Sequence, residues 1–166
     1  MRLVVDTNIL FSILIGGRKL RQLFLIMRES VEFQVPAAII EEVEKLLPKA
    51  ARYVGTSPEL IYEIFRILIK PYLIVRDERE IPDQVREKAK ELVRDVDPDD
   101  WPFVGLAMFL GVPLWTGDKE LLRLSVETGF KYFVAVDTEG VEMLLEGKKI
   151  EEVEEGMRER YWESVI

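Results

Sequence analysis

Four acidic residues, Asp6, Glu42, Asp100 and Asp118, stand where this sequence could do chemistry. Asp6 ends the apolar run Leu3-Val4-Val5, and Asp118 follows Leu114-Trp115-Thr116-Gly117. Asp100 closes the cluster Asp95-Val96-Asp97-Pro98-Asp99-Asp100 and opens an apolar stretch from Trp101 to Met108. Glu42 borders the apolar face of a helix that starts near Pro36. Carboxylates brought together repel one another, and a divalent cation removes that repulsion. Such a cation can polarise a phosphate ester and activate water. The 166 residues include neither Cys nor His. Disulfides, thiolate zinc sites, cysteine nucleophiles and His-dependent triads are thereby excluded, and a metal would have only oxygen ligands. That favours Mg²⁺, Mn²⁺ or Ca²⁺.

Each acid also has a purely structural reading. Asp6 or Thr7 suits the cap of a following helix, as do Asp97, with Pro98 behind it, and Asp118. Glu41, Glu42 and Glu44 suit a solvated helix face, with Glu41–Lys45 as an i,i+4 pair. Residue types alone leave these alternatives open.

The elements that must position the acids follow from the hydrophobic pattern. Leu3 to Val5 reads as a buried parallel strand, and Ile9 to Ile15 as a short helix closed by Gly16-Gly17. Leu20, Leu23, Phe24 and Met27 mark an amphipathic helix. Val31 to Val35 is a short strand. Pro36 to about Lys49 is a helix with Ile39, Ile40, Val43, Leu46 and Leu47 on one face. On that face Glu42 lies at one border and Glu41 points away. Pro48 to Pro58 reads as a break, and Ser57 caps a helix that runs to about Lys70, before Pro71. Tyr72 to Val75 is a strand, Asp77 to Pro82 a loop, and Pro82 to Asp95 a polar helix. The stretch from Gly55 to Asp95 is expected to be scaffold.

The helix after Asp100 is apolar nearly all round, hence buried, so its acidic start must face a cleft. A strand ends at Thr116 and another runs from Lys131 to Val136. Asp137 to Glu146 is a helix. A C-terminal helix from Glu151 to Ile166 carries Met157, Tyr161, Trp162 and Val165, and is expected to pack on the body or on a partner. Strands alternating with helices imply a parallel sheet covered on both faces. In that architecture the strands' carboxyl ends share one edge, where ligands bind. Asp6 and Asp118 each lie just past such an end, and Glu42 and Asp100 lie early in helices beside it.

Net charge is −8, so the overall field does not steer the chain to nucleic acid. Metal ions and a local basic rim would have to overcome it; Arg18, Lys19, Arg21, Lys119 and Arg123 are the candidate phosphate contacts. No apolar stretch approaches the ~20 residues of a membrane span. The N-terminal apolar run is too short for a signal peptide. A cytoplasmic protein is expected.

Val4 to Leu10 (Val-Val-Asp-Thr-Asn-Ile-Leu), Pro36 to Val43, Asp97 to Ala107 and Trp115 to Leu121 resemble, in order and approximate spacing, the four motifs of PIN-domain nucleases. The resemblance covers residues 1 to about 140. It implies a three-layer α/β/α sandwich with a mostly parallel sheet of four to five strands. Residues 1–166 would form one PIN-like domain, with a C-terminal helical extension from about 148. It also implies metal-dependent cleavage of RNA, single-stranded by preference, using Mg²⁺ or Mn²⁺. The family's acidic positions carry over onto Asp6, Glu42, Asp100 and Asp118, with Asp97 as a further acidic ligand. Asn8 and Thr116 match polar residues that orient the ligands. The doubled Glu41-Glu42 leaves the second motif open by one position, and the helical phase favours Glu42.

Asp6 and Asp118 are expected to be the principal metal ligands. Asp100 is a ligand, direct or through water, and Glu42 binds metal or orients the attacking water. Two rival readings remain. One is a catalytically silent PIN-like module that binds RNA or protein. The other is a haloacid-dehalogenase-like phosphatase, whose second aspartate is replaced here by Asn8. An antitoxin-like partner and a homodimer complete the expectations.

Overall fold

The computed structural model describes residues 1–162. Its strands are β1 (Arg2–Val5), β2 (Glu32–Pro36), β3 (Leu73–Arg76), β4 (Leu114–Trp115) and β5 (Ala135–Val136). All neighbouring pairs are parallel, in the order β3-β2-β1-β4-β5. Leu3, Val4 and Val5 are fully buried because β1 is the central strand, paired on both edges and covered on both faces.

The helices are α1 (Thr7–Leu14), α2 (Arg18–Met27), α3 (Ile39–Val54), α4 (Pro58–Ile64), α5 (Asp83–Val93), α6 (Trp101–Leu110), α7 (Lys119–Glu127), α8 (Thr138–Leu145) and α9 (Ile150–Tyr161). The chain steps outwards from β1 to β3, then returns across the sheet to β4 and β5. Right-handed crossovers therefore put α1–α4 on one face and α5–α7 on the other. The packing agrees: α1 lies on α2 and α3, α3 on α4, and α5 on α6. The direction of travel reverses between β1 and β4. That reversal opens a crevice at the strands' carboxyl ends, the usual ligand position in such sheets.

Several elements differ from the sequence expectations. The expected break at Pro48 is absent, and α3 runs on to Val54. An interior proline costs a helix about 3 kcal/mol. Here burial of Ala50 and Ala51 on the following turn offsets part of that cost, and Gly55, at φ 84°, ends the helix instead. The helix expected to reach Lys70 ends at Ile64, followed by a π-helical turn (Phe65–Ile69) and a 3₁₀ turn (Lys70–Tyr72). Pro71 has no N–H to continue the ladder, so the chain changes pitch before it. The last strand is Ala135–Val136 rather than Lys131–Val136. The stretch Asp77–Pro82 holds a 3₁₀ turn (Glu78–Glu80) with a capping box.

The C-terminal helix packs on the body. Val153 and Met157 are fully buried against α7 and α8. Its expected last turn, with Val165, lies outside the described residues. Among the described residues no helix is long and apolar enough to cross a membrane.

The scaffold has a direct bearing on α3. This helix has no side-chain cap of its own, and Glu78 supplies one by accepting from the Ala38 N–H at 2.8 Å. Replacing Glu78 with Ala is expected to cost about 1 kcal/mol, and with Gln much less. Denaturant melts of the two variants measure the difference.

Candidate active site

Asp6 is 5% exposed, at the junction of β1 and α1. One carboxylate oxygen accepts from the Thr7 N–H at 2.8 Å, and the other from the Thr116 hydroxyl at 2.6 Å. Thr116 is fully buried just past β4, and its Oγ1 in turn accepts from the Asp118 N–H at 3.0 Å. One hydroxyl thus ties the ends of the two central strands together. Asp118 caps α7 with a single oxygen, which accepts from the Glu120 N–H at 2.9 Å. Asn8 Oδ1 accepts from the Gly117 N–H at 3.3 Å, fixing the turn before Asp118. Capping and cleft-facing roles therefore coexist in the same residues.

Glu42 is half-buried near the start of α3 and accepts a hydrogen bond from the Thr7 hydroxyl, whereas Glu41 is exposed. Thr7 links the first and second acidic positions, a role that residue pattern alone did not assign. Its polar type beside Asp6 was the available signal. Asp97 caps the 3₁₀ turn Pro98–Asp100 by accepting from the Asp99 N–H at 3.0 Å. Asp100 then opens α6.

These groups share one cleft of about 450 Å³, lined by Asp6, Thr7, Asn8, Glu42, Asp97, Asp99, Asp100 and Asp118, with Phe11, Lys45, Leu46 and Lys49. Asp99 joins the expected acids. The basic residues do not follow expectation: none of Arg18, Lys19, Arg21, Lys119 and Arg123 lines the cleft. Arg21 instead donates to the Ile13 carbonyl at 3.1 Å, and Lys19 pairs with Glu142 at 3.4 Å. Both residues lie on α2, whose direction is set by the turn at Gly16-Gly17 and not by helix periodicity. Lys45 is not in an ion pair with Glu41 among the described residues; it lies at the cleft.

The electrostatics show an unmet need for positive charge. Burial pushes the Asp6 carboxyl up to about 6, with Asp118 and Glu42 adding to it. Burial also raises Asp100 from 3.8 to about 8, helped by the charges of Asp6, Asp97, Asp118 and Glu42. Glu42 is raised too, chiefly by burial. Among the described residues none of the six cleft acids forms an ion pair. The Asp100 carboxyl has no hydrogen-bond partner there either. A hard divalent cation fits this all-oxygen, under-compensated set. Among the described residues, however, no three acidic side chains are already arranged to hold a metal ion. Side-chain rotation would have to complete such a cage.

A pH dependence follows. Unfolded carboxyls lose their protons near pH 4, whereas Asp6 and Asp100 retain theirs to about 6 and 8. Between these limits the folded, metal-free protein binds more protons than the unfolded chain, so its stability falls as pH rises. Allowing for solvent screening in an open cleft, the loss is about 1–2 kcal/mol, a few degrees in Tm. Melting in EDTA across this range should show the decline, and Asp100→Asn should flatten it.

No curated protein shows significant sequence similarity to the chain. Among the solved structures that share its fold are two DNA-bound complexes. One is VapBC2 from Rickettsia felis bound to a DNA fragment from its promoter, with a TM-score of 0.60 at 11% identity, covering 82% of this chain and 98% of that chain. The other is DNA-bound VapBC from Salmonella typhimurium, with a TM-score of 0.55 at 20% identity and the same coverages, 82% and 98%. The family profile described as "PIN domain" matches residues 4–157, reaching into α9. That match displaces the phosphatase reading, which Asn8 already disfavoured. It takes in the carboxyl ends of β1 and β4 and all of the cleft acids, and this chain belongs to the PIN domain family.

Proposed function

We propose that this protein is a metal-dependent endoribonuclease, hydrolysing phosphodiester bonds of single-stranded RNA through Asp6, Glu42, Asp100 and Asp118. The observation that carries this reading is the convergence of these acids at the β1/β4 reversal, with Asp100 left without a counter-charge. Mg²⁺ or Mn²⁺, when bound, polarises the scissile phosphate and lowers the pKa of coordinated water. Asp6 and Asp118 hold it as principal ligands, with Asp100 and Asp97 completing the acidic face. Glu42, fixed by Thr7, orients the attacking water or joins the ligands. Thr116 keeps Asp6 and Asp118 in mutual register, and Asn8 keeps the turn before Asp118 in place.

The reading extends to the chain as one cytoplasmic PIN-like domain with a C-terminal helical extension from about residue 148. It includes an antitoxin-like protein partner, supported by the likeness to VapBC assemblies, and a homodimer as the default assembly. The rival reading is a catalytically silent RNA- or protein-binding PIN module, favoured by the absence, among the described residues, of a preassembled three-acid cage. RNA hydrolysis in Mn²⁺ that EDTA stops would support the nuclease. No hydrolysis, and no rise in Tm on adding Mn²⁺, would support the silent module.

A further inference from the structure

The walls of the cleft differ in charge. Its acids come from the ends of β1 and β4 and the start of α6, with Glu42 at the start of α3. One turn and two turns further along α3, Lys45 and Lys49 line the same cleft, above Phe11 of α1 and beside Leu46. The Lys49 ammonium lies 5.5 Å from the centre of the Phe11 ring, a cation–π contact that holds it at the wall. Neither lysine has a carboxylate in salt-bridge range among the described residues. A chain of net charge −8 has thus placed two cations without a salt-bridge partner among the described residues, in helical register, beside this acidic cleft, where the charge of Lys45 also acts on Glu42.

We propose that Lys45 and Lys49, with Phe11 and Leu46 as an apolar floor, form a strand-holding subsite for single-stranded nucleic acid. The ammonium groups take backbone phosphates flanking the scissile one, and the floor receives the adjoining sugar and base. Phosphate contacts of this kind set register on the protein without reading sequence. The acidic wall and the lysine wall then divide the work: one supports chemistry at the scissile phosphate, the other holds the strand beside it. This inference rests on the nuclease reading for its scissile phosphate, but binding is measurable without cleavage.

The test is fluorescence anisotropy of a short labelled oligouridylate, in Mn²⁺ at several salt concentrations, on Asp6→Asn protein. Adding Lys45→Gln and Lys49→Gln should weaken binding about tenfold or more at low salt. It should also lower the salt slope by roughly 1–1.5, at ~0.7 for each phosphate that is no longer neutralised. Arg at both positions should restore both quantities. Phe11→Leu should weaken binding several-fold with the slope partly reduced, because it releases Lys49. Unchanged affinity and slope in the double Gln variant would overturn the subsite. So would a variant in which Mn²⁺ binding tightens while oligonucleotide binding stays the same, since the lysines would then serve only to offset the acids. Wild-type cleavage is read separately. Lysine-dependent binding without cleavage leaves the subsite standing and sinks the nuclease. Cleavage with lysine-independent binding does the reverse.

Discussion

Asp6→Asn is expected to lower metal-dependent RNA cleavage about 10³-fold or more while leaving the protein folded. The change removes one unit of charge from the most buried acid of the cleft and keeps the side chain's shape. The Asn oxygen can still accept from the Thr7 N–H, and its amide can donate to the Thr116 hydroxyl, so the junction of β1 and α1 retains its bonds. Lost charge stabilisation of several kcal/mol corresponds to a rate loss of this size. Because Asp6 is pushed up to about 6 in the folded protein, neutralising it should hold or raise the metal-free Tm at neutral pH. Initial rates in Mn²⁺ and a thermal melt on the same preparation separate a catalytic loss from an unfolding one. Undiminished cleavage by purified Asp6→Asn protein would contradict the assignment.

The largest stability effect is expected far from the chemistry, at Asp137. This residue follows β5 and caps α8 by accepting from the Gly140 N–H at 2.8 Å. It also accepts from Arg160 at 2.8 and 2.9 Å and from the Tyr161 hydroxyl at 2.8 Å. Burial opposes ionisation of Asp137, but these donors outweigh it and hold the carboxyl below its ordinary value. Asp137→Ala removes the cap and leaves Arg160, among the described residues, with the more exposed Glu139 at 3.4 Å and the Met157 sulfur at 3.3 Å. The expected cost is about 2–4 kcal/mol, or roughly 5–12 °C in Tm. Asp137→Asn, which keeps a capping oxygen, should lose less. A melt of each variant measures this, and an unchanged Tm for Asp137→Ala would mean that α9 is not docked through this residue. The sign with pH is opposite to that of the cleft. A depressed carboxyl stabilises above its unfolded pKa, and that stability is lost as pH falls through the lower folded value. Without metal, stability should therefore pass through a maximum near pH 4–5, between protonation of Asp137 below and charging of Asp100 and Asp6 above.

Much of this was legible in the residues. The buried run Leu3 to Val5, the strand–helix alternation and the four motifs led to a mostly parallel PIN-type sheet of four to five strands, and the sheet has five, all parallel. The helical phase that preferred Glu42 to Glu41 matches the hydrogen bond between Glu42 and Thr7. What escaped has a common cause: it depends on tertiary neighbours rather than on local pattern. Pro48 reads as a helix breaker until Ala50 and Ala51 are seen to be buried beyond it. Arg21 reads as a free cation until the carbonyls of α1 are found within its reach. Lys45 reads as the i,i+4 partner of Glu41 and Lys49 only as a helix end, because nothing local shows that α3 lies along a cleft. Asp137 reads only as the start of a helix, since its partners lie 23 and 24 residues further along the chain.

A crystal soaked in Mn²⁺ and measured at the manganese absorption edge would examine the acidic cleft most directly. The expected result is an anomalous peak in contact with both Asp6 and Asp118, with the Asp100 carboxyl turned towards it. A map at saturating Mn²⁺ with no peak in that cleft, or with manganese bound only elsewhere on the surface, would contradict it.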